Sequence, residues 1–261
     1  MKRFAVPALL LLLAVPALAS YISLNTKLTS QFERGKLKAS VEIVNKGDEA
    51  ACNVQAEFRS GGLSVLADKV PQLPVDLTYK AKRELPLALS APGTYPLALI
   101  VHYTDANQYP FSALTLQTFV YREEAPSPLA SQLGSATIDK EGGLTLRLKN
   151  FGSRPLQVTA GLVVPAELTA GQAGRAVVLE PNSDQSVSFS IKNFSALAGS
   201  TYQVFAVAEF EDGGRHFTAI APGLVKISNE PKVLGLNPWA YFVILVVLVL
   251  AFFGAQFLRK K

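Results

Sequence analysis

The sequence predicts an all-β protein with two tandem β-sandwiches followed by one C-terminal transmembrane helix. Three observations predict this fold class: a strand-and-turn pattern that occurs twice, period-two alternation within its strands, and a long apolar segment near the C-terminus. No stretch between residues 20 and 237 sustains helical periodicity with capping signals. We therefore expect that whole region to consist of strands and turns.

The first 19 residues are typical of a cleaved signal peptide. Lys2 and Arg3 precede an apolar stretch at 4–15, and the small residues Ala17 and Ala19 suit cleavage after position 19. An apolar stretch of 12 residues is too short to cross a hydrocarbon core of about 30 Å as a helix. The exported part is therefore expected to begin at residue 20.

Two copies of one pattern follow at a nearly constant offset. Alternating strands end in Asn-x-Gly turns at Asn45 and Asn150, which are 105 positions apart. The tyrosines that open the aromatic strands, Tyr95 and Tyr202, are 107 positions apart. Such self-similarity indicates a duplicated unit.

The aromatic strand of each copy places one apolar stripe inward. The two stripes are Tyr95, Leu97, Leu99, Val101, Tyr103 and Tyr202, Val204, Ala206, Ala208, Phe210. With turns every 8 to 15 residues, this alternation predicts β-sandwiches of the immunoglobulin-like type. Tyr95 and Tyr202 take the place of a structural tyrosine corner, whose hydroxyl bonds to the backbone of the preceding turn.

Composition places the boundaries of these units. Pro126 and Pro128 lie in a segment typical of a stiff linker, which predicts an elongated pair of sandwiches. The expected ranges are the first sandwich at 20–122, the linker at 123–134, the second sandwich at 135–228 and a juxtamembrane stalk at 229–237.

The apolar segment near the C-terminus predicts a transmembrane helix over 238–258. The 20 residues at 239–258 include no charged residue, and they form a helix of about 30 Å, the thickness of the hydrocarbon core. The expected membrane-interface anchors are Trp239, Tyr241, Arg259, Lys260 and Lys261. By the positive-inside rule we expect a single-pass type I protein of the cell membrane, with an extracytoplasmic ectodomain, periplasmic or extracellular, and a cytoplasmic tail at 259–261.

Charge argues against nucleic acid as a partner. The chain has 25 Lys and Arg against 20 Asp and Glu, a formal charge of +5. Five of the basic residues lie in the signal peptide and the tail, so the predicted ectodomain is formally neutral. It lacks the basic field that nucleic-acid binding requires.

Cys52 is the only cysteine, so no intrachain disulfide can form. It lies in a strand-like run and is expected to be a small core residue, with an intermolecular bridge as the alternative. The lack of disulfides, together with a single glycosylation sequon at Asn193, favours a prokaryotic envelope.

The sequence offers no reaction site. His102 and His216 do not occupy matching repeat positions, and we expect both at the surface or at strand edges. No metal-ligand spacing, phosphate-binding loop or nucleophile motif occurs. We therefore expect no catalytic residue, no cofactor and no metal site, and a protein that is not an enzyme.

Both copies resemble immunoglobulin-like repeats of prokaryotic surface proteins. The segments ending at Asn45-Lys46-Gly47 and Asn150-Phe151-Gly152, the turn at 179–183 and the two tyrosine strands are similar to the cell-adhesion-related (CARDB-like) domain and to the domain associated with α-galactosidases. A weaker similarity is to the translocon-associated protein subunits of the endoplasmic reticulum. The resemblance implies adhesion, spacing or assembly without a common ligand.

These observations lead to one functional hypothesis and two alternatives. The hypothesis is a non-enzymatic, membrane-anchored envelope protein that presents its tandem units for protein binding, adhesion or spacing. Partner contact is expected at the first copy's distal hairpin, at Asp105, Asn107, Tyr109 and Phe111. The alternatives are an accessory subunit of a membrane transport, secretion or translocation complex, and a glycan-binding envelope module.

Overall fold

The computed structural model describes residues 21–124, 126–171, 174–228 and 238–258. The expected signal peptide, stalk and tail lie outside these ranges. Within them the chain forms 17 strands and one helix. In chain order these are β1 Leu24–Glu33, β2 Lys36–Asn45, β3 Ala51–Ser60, β4 Leu63–Leu66, β5 Val70–Leu73, β6 Thr78–Pro86, β7 Gly93–Thr104, β8 Pro110–Tyr121, β9 Leu129–Leu133, β10 Ala136–Ile138, β11 Glu141–Asn150, β12 Leu156–Val163, β13 Leu168–Ala170, β14 Arg175–Leu179, β15 Asp184–Asn193, β16 Thr201–Asp212, β17 Arg215–Ile227 and α1 Pro238–Leu258.

The first unit consists of two facing sheets. One has the order β1-β2-β6, and in the other β7 lies between β3 and β8, with β4 and β5 both paired to β3. In β2, Leu37, Ala39, Val41 and Ile43 are at most 2% exposed and alternate with less buried neighbours. Burying a side chain of Val, Leu or Ile size stabilises the fold by about 1.5–3 kcal/mol, so this stripe fixes which face of the sheet points inward.

The second unit repeats this strand order. Its sheets are β13-β15-β11-β9 and β14-β12-β16-β17, with β10 paired in parallel to β17. Three buried leucines of β11, Leu144, Leu146 and Leu148, alternate with exposed residues as the sequence pattern requires. The prediction of a predominantly β, sandwich-like protein is confirmed.

The linker segment and the arrangement of the units differ from expectation. Leu129–Leu133, expected within the linker, is strand β9 and pairs with β11. The two units are not an elongated pair, because β7 and β8 of the first unit pack against β16 and β17 of the second. The physical reason is that these strands carry apolar residues on both faces, and the second face needs a cover.

Helix α1 covers Pro238–Leu258, 21 residues, as the sequence predicts for its conformation. Over the parts of the chain that the structure describes, no helix qualifies as a membrane span by its length and hydropathy. The membrane span expected at 238–258 is not supported by that finding.

Candidate functional site

The contact surface between the two units, called the seam below, is formed by β7 and β8 of the first unit and β16 and β17 of the second. This seam has an apolar centre. Ile100 of β7, Leu114 of β8 and Phe205 of β16 are 1–7% exposed and form a cluster separate from the two sandwich cores. Partly buried residues that pack against it are Leu116, Val163 and Ile220. A contact of this kind removes apolar side chains of both units from water, which favours their association.

At one end of the seam the two backbones approach closely. Gly93 pairs with His216, whose Nδ1 lies 2.8 Å from the carbonyl oxygen of Thr94. The hydroxyl of Thr218 donates to the same oxygen over 2.8 Å. The imidazole of His216 stacks on the ring of Tyr95, with 4.0 Å between centroids. His216, expected at the surface or a strand edge, is thus a seam residue with 13% of its side chain exposed.

At the other end of the seam a buried carboxylate joins the units. Glu167, between β12 and β13, is 2% exposed. It accepts hydrogen bonds from the backbone N–H of Ser112 and from the Ser112 hydroxyl, the latter over 2.6 Å. The hydroxyl of Tyr109 donates to the carbonyl oxygen of Ser195 over 2.6 Å. One serine therefore satisfies both oxygens of Glu167, which offsets the cost of burying its charge.

The hairpin expected to contact a partner lies against the second unit. Asp105 Oδ1 accepts a hydrogen bond from the Tyr109 N–H over 2.8 Å, which closes the turn. Phe111 stacks on Tyr103, with 5.6 Å between ring centroids. Asn107 is exposed. Tyr109 is committed to the seam and Phe111 to an aromatic pair, so the hairpin offers only its tip to a partner.

Tyr95 and Tyr202 bond to the turns that precede their strands. The hydroxyl of Tyr95 donates to the carbonyl oxygen of Ala91 over 2.7 Å. The hydroxyl of Tyr202 accepts from the N–H of Leu197 over 3.2 Å. Burial raises the pKa of both phenols, so both stay protonated at neutral pH.

A polar cluster around the buried Glu57 is not visible in the sequence, because its members come from β3, β4 and β7. Glu57 is 7% exposed and accepts from Arg59 Nε over 2.5 Å, from Ser64 Oγ over 2.5 Å and from His102 Nε2 over 2.8 Å. Ser64 bonds to the carboxylate and not to the imidazole. This geometry orients the carboxylate and does not prepare Ser64 as a nucleophile, which requires a serine bonded to a histidine.

The Glu57 cluster predicts an acid-sensitive component of stability. Burial acts to raise the pKa of Glu57, but the hydrogen bonds from Arg59, Ser64 and His102 outweigh it and lower the pKa from 4.5 to about 2. The folded-state pKa lies below the unfolded one, so this stabilisation is complete above about pH 5 and is lost as the pH falls towards 2. We therefore expect the free energy of unfolding to fall by about 2–3 kcal/mol between about pH 5 and pH 2. Urea unfolding followed by circular dichroism measures this fall.

Two substitutions isolate this effect. Glu57→Gln should flatten the pH dependence of the free energy of unfolding between about pH 5 and pH 2. The matched control, Glu42→Gln, removes an exposed carboxylate that pairs with Lys80 and should keep most of the slope. Equal slopes for the wild type and Glu57→Gln would show that another group accounts for the acid sensitivity.

The remaining sequence expectations concern Cys52, metal ligands and the anchors. Cys52 is a free thiol and is half-buried, so it is not a fully buried core residue. Among the described residues, no group of three or more His, Cys, Asp and Glu is placed to hold a metal ion. Trp239 and Tyr241 lie in the first turn of α1 and Trp239 is exposed, whereas Arg259, Lys260 and Lys261 lie outside the described ranges.

Comparison with known proteins gives only remote likenesses. No family model matches the chain, and no curated relative matches it. Among solved structures, a variant of Salmonella alpha-2-macroglobulin is 9% identical, with a TM-score of 0.34 over 80% of this chain and 16% of that one. Escherichia coli alpha-2-macroglobulin in its native conformation is 10% identical, with a TM-score of 0.33 over 80% and 17%. Red sea bream transglutaminase is 14% identical, with a TM-score of 0.28 over 78% and 31%. The chain spans less than a third of the length of each of these proteins.

Proposed function

We propose that this chain is a non-enzymatic, single-pass membrane protein of the cell envelope whose two units form one protein-binding head outside the cytoplasm. The observation that carries the proposal is the exposure of α1. Every residue from 242 to 248 is a large apolar residue that is 39–68% exposed. Successive helical residues point about 100° apart, so apolar side chains are uncovered on all sides of the helix. A helix that is apolar all round favours insertion in a bilayer.

The sequence around the helix supports an orientation. The basic residues at 259–261 follow the apolar segment, and the positive-inside rule places them in the cytoplasm. Trp239 and Tyr241 begin the helix on the opposite side, where aromatic residues are enriched at the membrane interface. Residues 1–19 supply an export signal of the secretory type. On this basis the two units lie outside the cytoplasm.

The arrangement of the two units supports a binding role. We assign both to the immunoglobulin-like class because β9-β11-β15 faces β12-β16-β17 in the second unit and β1-β2-β6 faces β3-β7-β8 in the first. The seam fixes the relative orientation of the units, so loops from both can contact one partner together. The open tip of the β7–β8 hairpin, at Asp105 and Asn107, remains our candidate contact.

Membrane attachment is tested by fractionation. The full-length chain should stay with membranes through an alkaline carbonate wash, and a variant lacking residues 239–258 should be released in soluble, folded form. External protease should digest the units in intact cells or spheroplasts. Release of the full-length protein by carbonate, or protection of the units from protease, would refute the anchored arrangement.

The binding role is tested by in-cell cross-linking and mass spectrometry. A variant in which residues 239–258 are replaced by a generic Leu/Ala membrane helix should capture the same protein as the natural chain, because the head makes the contact. Asn107→Lys, at the hairpin tip, should weaken capture, whereas Gln185→Lys, at an exposed position of β15 in the second unit, serves as its control. Loss of an integral membrane partner on helix replacement alone would instead favour an accessory subunit.

A further inference from the structure

A cleft with a volume of about 830 Å³ lies along the seam. Both units line it: Asn25 of β1, Tyr103 of β7, and Phe111 and Ser112 of β8 on one side, Thr201 and Gln203 of β16 on the other. Small-ligand sites typically measure about 300–1,000 Å³ and lie preferentially between domains. The cleft therefore has the size and the position of a ligand site.

The polar groups of the cleft are almost all uncharged. Its lining in the described ranges includes one charged side chain, Glu167, and no Lys or Arg. Both oxygens of Glu167 already accept hydrogen bonds from Ser112. The cleft thus has no cation to hold an anionic ligand, and its carboxylate is committed to the seam.

Several hydrogen-bonding groups in the cleft are uncommitted. The hydroxyl of Tyr103 and the side-chain amides of Asn25 and Gln203 make no hydrogen bond to another residue of the described chain. Burial raises the pKa of Tyr103 to about 12, so its hydroxyl remains a donor as well as an acceptor. Each amide likewise offers donors and an acceptor side by side. Groups that can both donate and accept hydrogen bonds match a ligand whose own groups also donate and accept them.

We propose that this cleft binds a short, uncharged oligosaccharide. Sugar hydroxyls donate and accept at once, so they suit the Asn25 and Gln203 amides and the Tyr103 hydroxyl better than a charged ligand does. Tyr103 and Phe111, whose rings stack on each other, add apolar surface to the lining, which a sugar ring also needs. Because both units line the cleft, the ligand binds only when the seam is closed. This site is independent of the membrane anchor and of the protein partner at the hairpin tip.

The test uses the full-length protein in lipid nanodiscs, since many detergents carry sugar headgroups that would compete. Saturation-transfer NMR with chitotetraose, maltotetraose and cellotetraose should show binding of at least one of them. Gln203→Ala and Tyr103→Phe should each weaken that binding by about three- to ten-fold, because each removes hydrogen bonds to a neutral ligand. Gln157→Ala, which removes an exposed amide on β12 outside the cleft, should leave the affinity unchanged.

Three results would overturn the proposal. The first is no saturation transfer to any of the three sugars at millimolar concentration. The second is binding that Gln203→Ala, Tyr103→Phe and Gln157→Ala all leave unchanged, which would place the sugar elsewhere. The third is tighter binding of an unstructured peptide than of any of the three sugars at the same residues, which would make the cleft a peptide site. Hydrogen-exchange protection of 200–203 and 111–115 on sugar addition to the wild type would support it, and wild-type exchange rates in the two variants without sugar would show that they are folded.

Discussion

Replacing Gly93 with alanine is expected to lower the free energy of unfolding by about 3–5 kcal/mol and to loosen the seam. Gly93 has φ +143, a conformation that L side chains rarely adopt. An added Cβ would overlap the carbonyl oxygen of His216 and lie 2.9 Å from its nitrogen. Because both contacts are backbone atoms, β17 must move away. The hydrogen bonds of Thr218 to Thr94 and the stack of His216 on Tyr95 would then be lost.

Urea unfolding by circular dichroism measures the loss, and hydrogen-exchange mass spectrometry locates it. The amides of His216 and Thr218 should exchange faster in Gly93→Ala than in the wild type. Gly35→Ala is the matched control, since Gly35 has φ +78 in the β1–β2 turn and an added Cβ there meets no atom within 4 Å. It should cost about 1 kcal/mol of backbone strain alone. Similar losses of unfolding free energy in Gly93→Ala and Gly35→Ala would mean that β7 and β17 can separate at Gly93 without further cost.

The sequence predicted the sandwich cores because each strand carries its own signal. The inward stripe of β16 was identified as Tyr202, Val204, Ala206, Ala208 and Phe210, and all five residues are at most 8% exposed. The alternation of apolar and polar residues can be recognised within a single strand. A one-residue shift in strand register would expose the whole stripe, so the pattern determines which face is buried. This is why burial within each unit could be assigned without knowing how the sheets face each other.

The seam could have been suspected from the same strands. Between the stripe residues of β16 lie Phe205 and Val207, and between those of β7 lie Ala98 and Ile100, all apolar and all at most 8% exposed. A strand that is apolar on both faces is typical of a sheet covered on both sides. The elongated pair is what the prolines of the linker predict, whereas these second apolar faces are covered by the other unit.

The polar contacts of the seam and of the Glu57 cluster could not be predicted. Ser112 and Glu167 are 55 positions apart, and Thr94 and His216 are 122 apart. Neither pair has a spacing rule, because the contact depends on how two complete sandwiches dock. Glu57 and His102 meet only because β3 and β7 are neighbours in one sheet. A titratable residue on a strand gives no sign of its partner until the strand order is known.

Replacing Asn150 with aspartate is expected to lower the free energy of unfolding at pH 7 by about 3–5 kcal/mol, although the side chains have the same shape. Asn150 is fully buried at the end of β11. Its Nδ2 donates to the carbonyl oxygens of Arg154, Leu179 and Glu180 over 2.8–3.2 Å, while its Oδ1 accepts from the Gly152 N–H over 2.8 Å. A carboxylate keeps the last contact and turns a negative oxygen towards three carbonyl oxygens. Urea unfolding by circular dichroism measures the change.

The repeat supplies a second copy of the experiment. Asn45 is also fully buried, donates to the carbonyl oxygens of Glu49 and Leu73 over 2.7 and 3.1 Å, and accepts from the Gly47 N–H over 3.0 Å. Asn45→Asp should therefore destabilise to a similar extent, whereas Asn107→Asp at the exposed hairpin tip should stay within about 0.5 kcal/mol of the wild type. A small effect at both buried positions would mean that water reaches these turns. The two Asn-x-Gly segments would then matter only for the shape of the turn. The hydrogen bonds from Asn45 to the end of β5 and from Asn150 to the end of β14 would contribute little to stability.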